Sequence, residues 1–97
     1  MTTLLNTLTI DPANRTQVLD SLRDNIATVI NSLDGWISTN LIASADGKHV
    51  VIHSQWRDLA AVSAMIADPR MVAYYPKIAA LATIESIVGE VAHTAQA

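Results

Sequence analysis

The sequence predicts a small α+β domain whose elements run strand, helix, strand, strand, helix, strand, and three features carry that reading. Asp46-Gly47 falls between two runs rich in β-branched and aromatic residues, 36–43 and 49–56, which marks a tight hairpin because glycine takes a positive φ without penalty. Apolar residues recur at helical spacing through Val18, Leu19, Leu22, Ile26, Val29, Ile30 and Leu33. Asp11-Pro12 and Asp68-Pro69 mark helix starts, since aspartate caps free N–H groups and proline is tolerated at the first helical position.

In chain order, Leu4–Ile10 is the first strand, stopped by Asp11-Pro12. The first helix follows, with Arg15, Asp20, Arg23 and Asp24 on its wet face and Gly35 as its C-terminal cap. Trp36–Ala43 and His49–Trp56 are the hairpin strands. Asp58 caps a short helix bearing Leu59, Val62 and Ile66; Asp68-Pro69 restarts the chain in a new helical direction, and Pro76 is expected to break or kink that piece. Thr83–Val91 returns as the last strand, and Ala92–Ala97 is a tail.

The order βαββαβ is a ferredoxin-like plait, here a single domain over residues 1–97. Helices cover one face of such a sheet and leave the other bare. Yet the strands keep apolar residues on both faces, Val50 and Ile52 on one and Val51 on the other. A bare apolar face predicts a homodimer through the open sheet face, forming a dimeric α+β barrel with Val51, His53 and Gln55 at or near the interface.

Composition narrows the function classes. Hydrophobic residues make up 51% of the 97, and charged residues only 15%, against roughly 25% in ordinary globular chains; so little surface charge agrees with self-association. A net charge of −3 with six scattered Lys and Arg gives nucleic acid no electrostatic footprint. No cysteine is present, so thiolate and iron–sulfur chemistry are absent. The N-terminal stretch lacks the basic start and apolar run of a signal peptide, and no window approaches the roughly 18 apolar residues of a membrane span, so no membrane partner and a cytoplasmic location are expected. Three glycines form no phosphate loop, no G-x-S-x-G elbow occurs, and His49, His53 and His93 lack metal-ligand spacing. No flavin, nucleotide or metal cofactor is expected.

Asp34-Gly35-Trp36-Ile37-Ser38, Ser44-Ala45-Asp46-Gly47 and Gln55-Trp56 together resemble the core pattern of the antibiotic biosynthesis monooxygenase family. The resemblance implies the same dimeric barrel and a cavity between sheet and helices, lined from the Trp56 side of its strand. Substrate-binding candidates are then Trp56, Asn6, Ile52, Ser54, Val62, Ile66 and Met71, with Tyr75, or its neighbour Tyr74, as the catalytic phenolic donor. Trp56 also has a plain reading as a core aromatic. The resemblance further implies oxygenation of electron-rich aromatics such as anthrones and hydroquinones by O₂ without cofactor, the substrate's own anion activating oxygen.

The family pattern is incompletely matched. Characterised members carry an Asn four residues before the Trp, where this chain has Ile52; a Tyr six residues after it, where this chain has Val62; and an Arg at about Tyr75. These departures keep a rival reading open, a non-catalytic dimeric binding protein for a small apolar ligand. The related haem-degrading branch matches at Asn6 and Trp56 but needs a helix His, and none occurs between Arg57 and Ala82.

Overall fold

Strands β1 (Thr2–Ile10) and β3 (His49–Trp56) form the middle of a four-stranded antiparallel sheet, with β2 (Trp36–Ala43) outside β3 and β4 (Ala82–Gly89) outside β1. In this computed structural model, which describes all 97 residues, α1 (Arg15–Thr28), α2 (Leu59–Ala67) and α3 (Pro69–Ala79) pack on one face of that sheet. The architecture is the α+β ferredoxin-like plait.

Period-two alternation sorts the strand residues. Thr2, Leu4, Leu8 and Ile10 of β1 and Val50, Ser54 and Trp56 of β3 are buried beneath the helices. Leu8, Ile10 and Val50 pack with Val18, Leu19, Leu22 and Ile78 into one core under α1 and α3. Leu4 and Trp56 pack with Ile30, Ala61, Val62 and Met65 into a second core under α2. The register leaves one row across the sheet between these cores, Leu41–Ile52–Asn6–Ser86. On the opposite face, Leu5, Ile42, Val51 and Ile87 lie among Thr3, Thr7, Asn40, His53 and Gln55. Thr3 Oγ1 there donates to Gln55 Oε1 at 2.9 Å, and the Gln55 amide meets His53 Nε2 at 3.2 Å.

The turn chemistry is as the sequence implies. Gly47 has φ +74°, and the Asp46 carboxylate accepts from Ser44 Oγ at 2.6 Å and from the Lys48 N–H at 2.9 Å. Asp11 accepts from the Ala13 N–H, Asp58 from the Ala61 N–H and Asp68 from the Arg70 N–H, so each predicted N-terminal cap is made.

Four expectations need correction. The first helix begins as a 3-10 turn at Pro12–Asn14 and ends at Thr28, with a second 3-10 turn at Ile30–Ser32, instead of running unbroken to Gly35. Ser32 Oγ donates to the Val29 carbonyl at 2.7 Å, a side-chain bond that competes with the helical ladder. Of the break or kink expected at Pro76, the break does not occur, since α3 continues to Ala79. Pro76 and Val72 are both exposed, so the carbonyl that loses its amide partner is not sealed in an apolar interior. The first strand starts at Thr2, and β4 spans Ala82–Gly89 because Gly89 pairs with Thr3, near the start of β1. Residues 90–97 carry no regular structure. No helix is long and apolar enough to cross a membrane.

Gly35 joins the second 3-10 turn to β2 at φ +84°, and its carbonyl accepts from the Arg57 N–H at 2.7 Å. A Cβ there would lie 2.5 Å from the Ala61 Cβ. Gly35→Ala therefore combines left-handed strain with a clash, and a loss of about 2 kcal/mol is expected, read as a lower urea midpoint at unchanged m-value.

Candidate functional site

While Leu41 packs against the first core, Ile52, Asn6 and Ser86 of the row Leu41–Ile52–Asn6–Ser86 form the floor of a cavity between sheet and helices. Its main lobe, about 500 Å³, runs from Asn6, Ile52, Ile84 and Ser86 on the sheet to Met65 and Ile66 of α2 and Met71, Val72, Tyr74, Tyr75, Pro76 and Ile78 of α3. A smaller lobe of about 80 Å³ shares Leu4, Asn6, Leu22, Ile52, Met65 and Met71 with it and reaches Asn25, Thr39, Ser54 and Trp56.

The walls are apolar, so the few polar atoms decide what the space recognises. Ser86 Oγ donates to Asn6 Oδ1, which leaves the Asn6 amide N–H₂ group without a protein side-chain acceptor. Tyr74 Oη and Ser21 Oγ lie 2.9 Å apart and join α3 to α1. Burial raises the Tyr74 phenol above its ordinary value, the Ser21 bond opposes that rise, and the nearby Asp24 charge adds to it. The phenol is therefore protonated at neutral pH and carries a proton it can donate. No Asp, Glu, His, Lys or Arg side chain lines either lobe.

The structure gathers most of the sequence-predicted residues. Asn6, Ile52 and Met71 line both lobes; Ile66, Tyr74 and Tyr75 line the main one; Ser54 and Trp56 line the small one. Tyr75 is 57% exposed and stands at the mouth. Trp56 is 1% exposed, with Nε1 donating to Ser54 Oγ at 3.0 Å; it is a core side chain whose ring closes the small lobe, and it does not reach the main one. Val62 lies in neither lobe: it is 1% exposed and packed in the second core, because the α2 face carrying Ala61, Val62 and Met65 turns to the sheet. His49, His53 and His93 stay apart, and no three His, Asp or Glu side chains converge.

Sequence reasoning missed Ser86 and Asn25. Asn25 had a signal, being a polar residue within the apolar stripe of Leu22, Ile26 and Val29. Ser86 had none, since only the strand register sets it beside Asn6.

The model of the family described as antibiotic biosynthesis monooxygenase matches residues 1–76. The chain belongs to the antibiotic biosynthesis monooxygenase family. Tetracenomycin-F1 monooxygenase of Streptomyces glaucescens is 30% identical over 92 residues, 95% of this chain and 82% of that protein. Among solved members, a Streptomyces coelicolor monooxygenase in complex with nanaomycin D aligns with a TM-score of 0.88 at 20% identity, over 99% of this chain and 91% of that one. SnoaB, a cofactor-independent oxygenase from Streptomyces nogalater, aligns with a TM-score of 0.78 at 22% identity, over 96% and 94%. These structural likenesses establish the fold shared with the family.

The Tyr74 environment has a measurable signature. Because its folded-state value is raised, the folded protein holds that proton more tightly than the unfolded chain. The resulting stability is present below the ordinary tyrosine range and fades as pH rises through the folded value. Ultraviolet titration of the wild type minus Tyr74→Phe is expected to place the Tyr74 transition above pH 10, and Ser21→Ala to move it higher.

Proposed function

We propose that this chain is a monooxygenase that uses O₂, without metal or flavin, to oxidise a small planar aromatic of the anthrone or hydroquinone class. The carrying observation is the main lobe, which has apolar walls, hydrogen-bond donors in Asn6 and the tyrosines, and no ionised side chain. Such a site stabilises an anion but supplies no strong base. Its substrate must therefore be acidic enough to ionise with donor help alone, as enolisable anthrones and quinols are. Kinship with tetracenomycin-F1 monooxygenase, and with SnoaB as a cofactor-independent oxygenase, supports the same reading.

For an anthrone the chemistry balances without another reductant. The benzylic CH₂ loses a proton to water at the cavity mouth, the anion passes an electron to O₂, and the two radicals combine as a peroxide anion that takes a proton back to become the hydroperoxide. Loss of water then leaves the carbonyl, one oxygen atom in the product and one in water. The Asn6 N–H₂ group, with the hydroxyl of Tyr75 or Tyr74, faces the developing oxyanion, while the apolar walls exclude bulk water. The rival reading, a non-catalytic binding protein, draws on the same lack of a base.

Oxygen uptake separates the two readings. With a panel of anthrones and hydroquinones, the purified protein is expected to consume one O₂ per substrate oxidised and to keep that activity in chelator. Removing one oxyanion donor costs on the order of 10²-fold in turnover, the effect expected of Tyr75→Phe or Tyr74→Phe. Saturable quenching of tryptophan fluorescence with no oxygen consumed would favour the binding protein.

We also propose that the working unit is a homodimer in which the open sheet faces pack together. Leu5, Ile42, Val51 and Ile87 supply the apolar surface, and few charges oppose contact. Light scattering is expected to give a dimer at micromolar concentration for the wild type and a monomer for Val51→Asp, since an unpaired charge at the centre of the face cannot be desolvated cheaply.

A further inference from the structure

The small lobe contains an amide whose hydrogen-bonding capacity is half used. Asn25 stands on the sheet-facing side of α1 and is 8% exposed. Its Nδ2 donates to Met71 Sδ at 3.5 Å. A thioether accepts and cannot donate, so this contact fixes which end of the amide faces α3 and turns Oδ1 away from it. Oδ1 takes no hydrogen bond from the protein, and it is not sealed off, because no side-chain polar atom is both fully buried and unpaired. Asn25 lines the small lobe, so an enclosed space lies beside this amide.

Asn25 Oδ1 is the free acceptor among the lobe's polar side chains: the Asn6 N–H₂ group, which lines this lobe too, can only donate, and two hydroxyls are engaged. Thr39 Oγ1 accepts from Trp36 Nε1 at 2.9 Å, and Ser54 Oγ accepts from Trp56 Nε1 while facing the Leu4 carbonyl at 3.4 Å. A volume of about 80 Å³ matches two or three water molecules at the ~30 Å³ each occupies in the liquid, so the lobe admits a short substituent and no ring.

We propose that Asn25 is a specificity-determining residue: the small lobe receives a short hydroxyl-bearing substituent of the planar molecule held in the main lobe, and Asn25 Oδ1 accepts its hydrogen bond. The inference rests on the planar-aromatic reading of the main lobe and adds the substituent to it. The physics is that of a site built around a hydroxyl. A ligand with a hydrocarbon group of equal size fills the lobe but strands a buried acceptor, so the penalty falls on the wrong ligand. Met71 acts as a positioning residue, because its sulfur holds the amide in the accepting orientation.

Two unreactive quinones of equal heavy-atom count provide the test: 2-(hydroxymethyl)anthraquinone and 2-ethylanthraquinone, titrated against intrinsic tryptophan fluorescence. Comparing the ratio of the two dissociation constants between proteins cancels the difference in hydration of the probes themselves. The wild type is expected to favour the hydroxymethyl compound by about tenfold. Asn25→Leu is expected to abolish that preference, and Met71→Leu to weaken it. Should Asn25→Leu fail to fold, the wild-type Asn25 side-chain amide signals in a nitrogen–proton correlation spectrum still decide, moving with the hydroxymethyl probe and not with the ethyl one. A wild type indifferent to the two probes, or an Asn25→Leu variant that keeps the preference, overturns the assignment of Asn25 while leaving the main-lobe reading intact. Binding of neither quinone overturns both.

Discussion

Everything in this molecule turns on the alternation Leu4–Asn6–Leu8 in β1. Leu8 belongs to the core under α1 and α3, Leu4 to the core under α2, and the residue between them faces the helices but joins neither. A third leucine there would close the gap and fuse the two cores. An asparagine cannot be covered by apolar side chains without a partner, and Ser86, one strand over, supplies it. The neighbours of Asn6 in that row, Ile52 and Ser86, line the cavity with it. The cavity is thus a property of one row of strand residues, framed by two well-packed cores that keep it from collapsing.

The second core, with Trp56 in it, decides which groups remain unpaired in the small lobe. A register shift between Trp36 and Ser38 sets Trp36 opposite Trp56 and Thr39 opposite Ser54. Each indole N–H then finds a hydroxyl on its own strand, Trp36 at Thr39 and Trp56 at Ser54. Buried indoles need such partners, and once satisfied they offer the lobe only ring surface. Among the lining side chains, Asn6, Asn25 and the tyrosines are then the ones with polar groups not taken up by an indole. Trp56 is at once a core residue and a cavity wall, because the wall of this lobe is the surface of the core.

Local chemistry made much of this legible in the sequence. Asp46-Gly47, the Asp11, Asp58 and Asp68 caps and the two faces of β3 depend on residues close in the chain, and the structure keeps them. The misses depend on context. Asn6 meets Ser86 across 80 residues of sequence, and nothing local to either residue specifies that pairing. In α2 every residue but Ser63 is apolar, so periodicity cannot choose a face; Ala61, Val62 and Met65 turn to the sheet, while Leu59 and Ile66 stay exposed. That is why Val62 and Ile66, alike as sequence candidates, part company, with only Ile66 reaching the cavity. The early end of α1 turns on Ser32 bonding the Val29 carbonyl, a competition that an apolar pattern does not register.

The wall opposite the sheet has its own logic. Met71 and Tyr74, one turn apart on α3, meet Asn25 and Ser21, one turn apart on α1, through an amide–sulfur and a hydroxyl–hydroxyl contact. Apolar packing alone would let α3 slide along α1, whereas two directional contacts on successive turns fix its register and its height above Asn6. The same contacts consume part of the hydrogen-bonding capacity of the side chains that make them. What is left over is the Asn25 carbonyl oxygen and the Asn6 amide N–H₂ group, on residues that line the enclosed space from opposite sides. The helix pairing that shapes the cavity therefore also sets its polarity.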